Sequence, residues 1–335
     1  MPYRTVKIME HIIDDIYRIT IPLPFPVTPE LSVYYIDGEQ PALIDTGLGD
    51  ASSMQVLAAA LEEDNRSLAD IRVVLITHEH IEHFGGNKKI KEASPAYSVA
   101  SRQAASDIEN YRHYLQNIKE NVRALPEELA VVVNQFIEFS FSIEQSVIEH
   151  KIEDGALLDL GNTKLRAILT PGHAAGHICL YDEERKILFS GDQVVATGTT
   201  FVGYGWRHMA TRRIEEIFIP NENPAVLSLY LESLEHLLTL DLDLILPGHG
   251  PPIREPYEKL RDDIRKKLQR EEQFLSVLEH RDDISFTELT AMAYGDTKSS
   301  LIQQGAALGY LERLSKRREI EARMENGTLY IRRRR

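Results

Sequence analysis

The chain has 335 residues, 43% of them hydrophobic, a formal net charge of −14 and a single cysteine. This length exceeds one ordinary domain and allows a substantial core, while the acidic balance argues against general nucleic-acid binding, which relies on basic side chains. One cysteine excludes an intramolecular disulfide framework; with no signal-like N-terminal segment and no apolar run near the roughly 18 residues of a membrane span, the chain reads as soluble and cytoplasmic.

Residues 6–21 alternate loosely as strand, and residues 31–36 and 42–44 read as a hairpin around Asp37-Gly38 that runs into Asp45-Thr46-Gly47. Pro22, Pro24, Pro26 and Pro29 interrupt the sheet as an exposed loop, which either borders a site or only connects. Residues 54–63 form an amphipathic helix, and residues 71–76 are a continuous apolar strand with both faces buried. That strand runs out into Thr77-His78-Glu79-His80-Ile81-Glu82-His83, followed by Gly85 and Gly86. Imidazole suits Zn²⁺, Fe or Mn, and imidazole mixed with carboxylate suits a hydrolytic metal that keeps an open position for water.

Residues 101–146 carry helical periodicity with Tyr111, Tyr114, Phe136, Phe139 and Phe141, a helical insertion that serves as lid, packing layer or dimer surface. Residues 152–160 and 164–169 read as strands around Gly161-Asn162 that restart the sheet. Three further apolar strands then end in glycine and a ligand-type residue: Thr170-Pro171-Gly172-His173-Ala174-Ala175-Gly176-His177, Ser190-Gly191-Asp192 and Pro247-Gly248-His249-Gly250. Glycine admits close backbone approach and proline stiffens the turn, so four strand-end loops can converge on one point. Cys179 lies in an apolar run and reads as an inert core residue. Residues 197–206 hold Phe201, Tyr204 and Trp206, shared between core packing and a candidate substrate wall; His208 reads as a surface residue. A helix over 224–240 precedes the strand 243–246 that delivers His249.

From Tyr257 the pattern changes to a charged helix, then a second helix opened by Ser285-Phe286-Thr287-Glu288, a third over 299–316, and a hairpin at Asn326-Gly327. Charge changes too, with 15 Lys and Arg against 11 Asp and Glu from residue 265 onward, and 23 against 41 before it. The sequence therefore divides into residues 1–260 and 261–335.

These four loops, in this order, resemble the metallo-β-lactamase superfamily, with its H-x-H-x-D-H, T-P-G-H, S-G-D and P-G-H motifs. The resemblance implies an α/β (α+β) fold, a four-layer αβ/βα sandwich, and the last segment resembles a winged-helix domain. By the family pattern His78, His80 and His173 hold one divalent ion; Glu82, His83 and His249 hold a second; Asp192 bridges. Zinc is the first candidate, with Fe or Mn as alternatives. Asp192, Glu82 and His249 carry the catalytic roles, Asp45 and His177 support the ligands from outside, and Tyr204 and Trp206 are candidates for substrate contact. Glu82 departs from the usual aspartate by one methylene, which puts the second ion in doubt.

The activity implied is hydrolysis of a small ester, thioester or lactone by a metal-bound hydroxide. The resemblance also leaves open an endoribonuclease or phosphodiesterase, a mononuclear iron oxygenase, or a ligand-sensing DNA-binding protein. The expected partners are a small-molecule substrate, with RNA and a homo-oligomer open and no membrane. The third C-terminal helix offers few basic residues before Arg313, which disfavours base reading.

Overall fold

The computed structural model describes residues 9–25, 28–122, 134, 137–203, 218, 223–281 and 283–334. One sheet takes its seven strands in chain order: β1 (Met9–Ile13), β2 (Ile16–Pro22), β3 (Glu30–Ile36), β4 (Ala42–Ile44), β5 (Val73–Leu75), β6 (Tyr97–Ser101) and β7 (His150–Ile152). The first three pairings are antiparallel and the last three parallel. Parallel neighbours need crossovers. These are supplied by α1 (Ala51–Glu62), by α2 (Ile81–Phe84) with α3 (Asn87–Ala93), and by the insertion with α4 (Arg102–Glu109) and α5 (Tyr111–Val122).

The second sheet contains β8 (Leu157–Asp159), β9 (Lys164–Leu169), β10 (Ile178–Asp182), β11 (Ile187–Gly191) and β12 (Leu244–Pro247), in the order β12-β11-β10-β9-β8. Only β11 and β12 are parallel, and α6 (Val226–Leu237) lies between them in the chain. The sequence predicts one strand over 152–160, and here the structure differs. Ile152 ends β7 in the first sheet, the chain turns through Gly155 at φ +76°, and β8 opens the second sheet. Alternation alone does not register such a switch, and the Asp154-Gly155 dipeptide marks a turn without saying that the chain changes sheet.

Side-chain direction explains the layers. Val73 and Leu75 point between the sheets, where they join Ile44, Val99, Leu180 and Phe189, while Val74 and Ile76 point outward into the core with Leu57 and Ile108. Strand side chains alternate between faces, so a strand buried on both sides feeds two cores. A third core covers the far face of the second sheet and joins Leu188 and Ile245 to Leu234 of α6. The result is helix, sheet, sheet, helix: a four-layer αβ/βα sandwich.

The C-terminal segment comprises α7 (Pro256–Glu279), β13 (Ile284–Ser285), α8 (Phe286–Tyr294), α9 (Leu301–Lys316), β14 (Ile320–Glu325) and β15 (Thr328–Arg333). Phe274, Leu278, Leu289 and Leu311 belong to the same core as Leu188 and Ile245, so apolar packing is continuous from the second sheet into this segment. At Ser285 the side chain caps α8 through the amide of Glu288. The Ser285-Phe286-Thr287-Glu288 pattern predicts a reciprocal capping box; only the Ser285 half forms, while a complete box at Ser300 and Gln303 opens α9. Asn326 and Gly327 both have positive φ, as a two-residue hairpin turn requires. Among the described residues no helix is long and apolar enough to cross a membrane.

Candidate metal centre

β5, β9, β11 and β12 deliver their carboxyl ends to one rim, where His78, His173, Asp192 and His249 follow them. Two backbone bonds lock the sheets together there: the Ile178 amide donates to the Thr77 carbonyl (2.9 Å) and the Ser32 amide to the Gly248 carbonyl (2.7 Å). Gly248 leaves room for the side chains of the rim, which a larger residue would have to displace. A Cβ at that position would lie 2.7 Å from Asp192 Oδ1 and 3.1 Å from His83 Cε1.

Three imidazole nitrogens meet at the first position. His80 Nδ1 lies 3.0 Å from His78 Nε2 and 3.1 Å from His173 Nε2. The outer nitrogens fix which way each ring presents its lone pair. His173 Nδ1 donates to the Phe201 carbonyl at 2.9 Å, and His78 Nδ1 contacts Thr77 Oγ1 at 3.0 Å. Thr77 Oγ1 is itself bonded to the Asp45 carboxylate. Burial first, and then the neighbouring imidazoles, hold His78 well below the ordinary histidine range, while burial and His173 do the same for His80. Burial also lowers His173. Neutral imidazoles are the metal-ligating form.

The second position gathers around Asp192. Its carboxylate lies 3.4 Å from His83 Nε2, 3.5 Å from His173 Nε2 and 3.3 Å from His249 Nε2. His249 Nδ1 donates to the Glu30 carbonyl (2.6 Å) and His83 Nδ1 to Asp45 Oδ2 (2.7 Å), so both Nε2 atoms turn their lone pairs towards the carboxylate. His83 Nε2, His249 Nε2 and Asp192 Oδ1 are buried without a hydrogen-bond partner. Acceptor facing acceptor in a buried site requires a proton or a cation between them. The proton affinities carry the same message. Burial opposes a charge on His83, yet Asp192 and Asp45 raise it well above the ordinary value, and His249 is raised by Asp192 against burial. Burial alone would raise Asp192, but His249 and His83 bring it well below the carboxylate range.

Glu82, in the first turn of α2, groups with His83 and His249, with ligand atoms within 4.8 Å of one another. His78, His80 and His173 form a second such group, and His78, His83 and Asp192 a third. Tetrahedral ligands about 2.0–2.1 Å from a divalent ion stand roughly 3.3 Å apart, close to the spacings of the three-histidine position. Nitrogen and carboxylate donors, orphaned lone pairs and spacing all fit divalent metal binding.

Asp45 belongs to none of these three groups; its carboxylate instead contacts Thr77 and His83 beside them. At φ +63° its backbone sits in a region costly for a non-glycine residue, a strain of about 1–3 kcal/mol tolerated where the surroundings fix it. The carboxylate accepts from the Thr77 amide at 2.9 Å and binds His83. His177 is buried; its Nδ1 meets Thr170 Oγ1 at 2.8 Å and its Nε2 accepts from the Asp192 amide at 3.1 Å. It thus ties its own loop to that of Asp192. Cys179 is buried, with its thiol pushed up to about 12 by burial, as an inert core residue should be. Phe136, Tyr204, Trp206 and His208 lie outside the described residues.

The parts that orient the ligands leave little signal in the sequence. Thr77 was legible as a neighbour of His78 but carried no role; Glu30 and Phe201 act through backbone carbonyls, which leave no residue-type signal. Thr170, Thr200 and Glu79 were likewise silent, although Glu79 Oε1 accepts from the Ala175 amide at 3.2 Å and so links the first histidine loop to the second.

A metallo-beta-lactamase superfamily model matches residues 27–249. The chain is 26% identical over 307 residues to a beta-lactamase-like protein 2 homolog from Caenorhabditis elegans, covering 89% of this chain and 82% of the relative. It is 26% identical over 243 residues to an atrochrysone carboxyl ACP thioesterase from Aspergillus fumigatus, covering 72% of this chain but only 58% of the thioesterase. A metallo-beta-lactamase family protein from Thermus thermophilus superposes with a TM-score of 0.75 at 22% identity, covering 96% of this chain and 99% of the other.

Proposed function

Because the chain belongs to the metallo-beta-lactamase superfamily and is a metallo-hydrolase, we propose that it cleaves a small thioester, or a related ester or lactone, with two divalent ions, zinc first among them. The observation that carries this reading is the convergence of seven ligand-type side chains on two adjoining positions that share Asp192. The similarity to an acyl-carrier thioesterase favours a thioester carbonyl.

Bound divalent ions supply Lewis acidity and make water a competent nucleophile near neutral pH. The chain's own residues do the positioning. Phe201 and Glu30 hold the His173 and His249 rings by their Nδ1 protons, so each Nε2 faces inward. Asp45 and Thr77 do the same for His83 and His78. His177 steadies the backbone of Asp192, and preset donors avoid reorganisation during reaction.

Electrostatics favour a small acyl substrate over RNA. Several of the described C-terminal arginines lie beside carboxylates: Arg323 with Asp283 and Glu325, Arg332 and Arg334 with Glu321, Arg317 with Glu271 and Glu319. Paired cations offer little counterion release to a phosphate backbone. Metal-loaded protein should therefore turn over acyl thioesters well ahead of lactones, with negligible activity on phosphodiesters and single-stranded RNA. Steady-state kinetics across those four classes tests this, and RNA cleavage exceeding thioester cleavage would reverse the assignment.

Glu82 decides the second ion. Its half-buried carboxyl is raised by burial and lowered in part by His83. Gly85 and Gly86 are wedged against Leu48 and Thr46, where a Cβ would meet Leu48 O at 2.4 Å and Thr46 O at 2.7 Å, so the backbone after Glu82 has little room to move. The longer side chain has to fold back to ligate. Glu82→Ala should weaken the second ion by at least about tenfold, and Glu82→Asp should retain or tighten it. Calorimetric metal titration reads both, and unchanged affinity for two ions in Glu82→Ala would remove Glu82 from the ligand set.

A further inference from the structure

The loop after Asp192 is held from the C-terminal segment. Thr200 Oγ1 donates to the Asp192 carbonyl at 2.6 Å, and the next residue, Phe201, supplies the carbonyl that accepts His173 Nδ1. Residues 198–203 have no regular structure of their own to fix them. Their anchors come from α7 and α9. Lys267 Nζ donates to the Thr200 carbonyl at 2.5 Å, and Lys259 Nζ to the Gly198 carbonyl at 2.8 Å while pairing with Asp263 at 2.5 Å. On the other side Gly203 lies against α9. A Cβ at Gly203 would come within 2.2 Å of the Gly305 carbonyl, and one at Gly309 within 2.8 Å of Gly203 Cα and 3.1 Å of the Val202 carbonyl.

Lys267 is an expensive residue to place there. It is only 4% exposed, on the same buried side of α7 as Leu260, Phe274 and Leu278. Burial pushes its ammonium down to about 8, with Asp263 opposing the shift, and its Nζ sits 5.5 Å from the centre of the Tyr230 ring. Packing alone would be served by an apolar side chain at lower cost. What the lysine adds is a donor aimed at the loop that carries both a bridging carboxylate and the carbonyl behind a histidine ligand.

We propose that the C-terminal helices form part of the frame of the metal centre, with Lys267 as a positioning residue that fixes Asp192 and His173 through the backbone of Thr200 and Phe201. This rests on the reading that His173 and Asp192 hold metal. Partners behind metal ligands govern ligand direction and typically alter affinity by roughly 10–100-fold when removed. The C-terminal segment then tunes metal retention with no side chain of its own among the ligands.

The test uses the full chain loaded with Co²⁺, whose visible spectrum reports ligand geometry, and follows its loss to a chelator. Lys267→Met keeps the length and removes the donor and the charge. It should retain the melting temperature of the parent or exceed it, while releasing Co²⁺ roughly tenfold faster with an altered spectrum. Gly309→Ala, which pushes on Val202 and Gly203 from the other side, should move both readouts in the same direction, and it decides the matter if Lys267→Met does not fold. Leu278→Ala loosens the same core away from the loop, and should lower the melting temperature with spectrum and release rate unchanged. Parental spectra and release rates in Lys267→Met and Gly309→Ala would overturn the proposal. So would equal changes in Leu278→Ala. Failure of the parent protein itself to bind Co²⁺ would instead overturn the metal reading and this inference with it.

Discussion

His80→Ala is expected to strip metal from the three-histidine position and to lower kcat by about three orders of magnitude, since a Lewis-acid contribution of several kcal/mol at 1.36 kcal/mol per decade amounts to that. Of the three nitrogens, His80 Nδ1 is the one within 3.1 Å of both others, so its loss opens the centre of the cluster. His78 and His173 remain braced by Thr77 and Phe201, but two imidazoles hold a divalent ion far less well than three. Fold stability should change little. His80 lies on a loop and is not fully buried, and its removal frees two neutral imidazoles that keep their outer hydrogen bonds. Elemental analysis, a thermal melt and kinetics on one preparation read all three, and an active, metal-replete His80→Ala protein would remove His80 from the centre.

The ligand-type residues were legible because their loops follow apolar strands and carry glycine or proline close by. That context is local, and it survives without any knowledge of how the strands are ordered. The parts that aim the ligands were not legible. Glu30 and Phe201 act through carbonyls 219 and 28 residues from the histidines they hold, a relation only the folded chain creates. Asp45 is an intermediate case. Its motif marked it as a supporting residue, but its left-handed backbone and its bond to His83 belong to the three-dimensional arrangement.

The strand pattern was readable for the same reason that the layers form. Val73 to Ile76 are apolar at every position because each sheet face is buried, and that run predicts a central strand correctly. The split of residues 152–160 between two sheets is marked in the sequence only by Asp154-Gly155, a turn dipeptide that does not say the chain changes sheet. The C-terminal segment shows the limit most clearly. Leu278 and Leu311 pack in one core with Leu188, and Lys267, which composition counts as a surface cation, is buried beside the loop of Asp192.

Removal of metal should have an effect as large as that of His80→Ala. Burial keeps His78, His80 and His173 neutral, so no proton competes strongly for their lone pairs at neutral pH. Around Asp192 the buried, unpartnered nitrogens of His83 and His249 await a positive charge, and an ion there satisfies what backbone and side chains leave open. The most direct measurement is thioester hydrolysis by protein exhaustively chelated, verified metal-free by elemental analysis, and then titrated with Zn²⁺. A loss of at least about a thousandfold is expected on removal, matching a Lewis-acid contribution of several kcal/mol, with recovery that saturates at two ions per chain. Undiminished hydrolysis by the metal-free protein would contradict it.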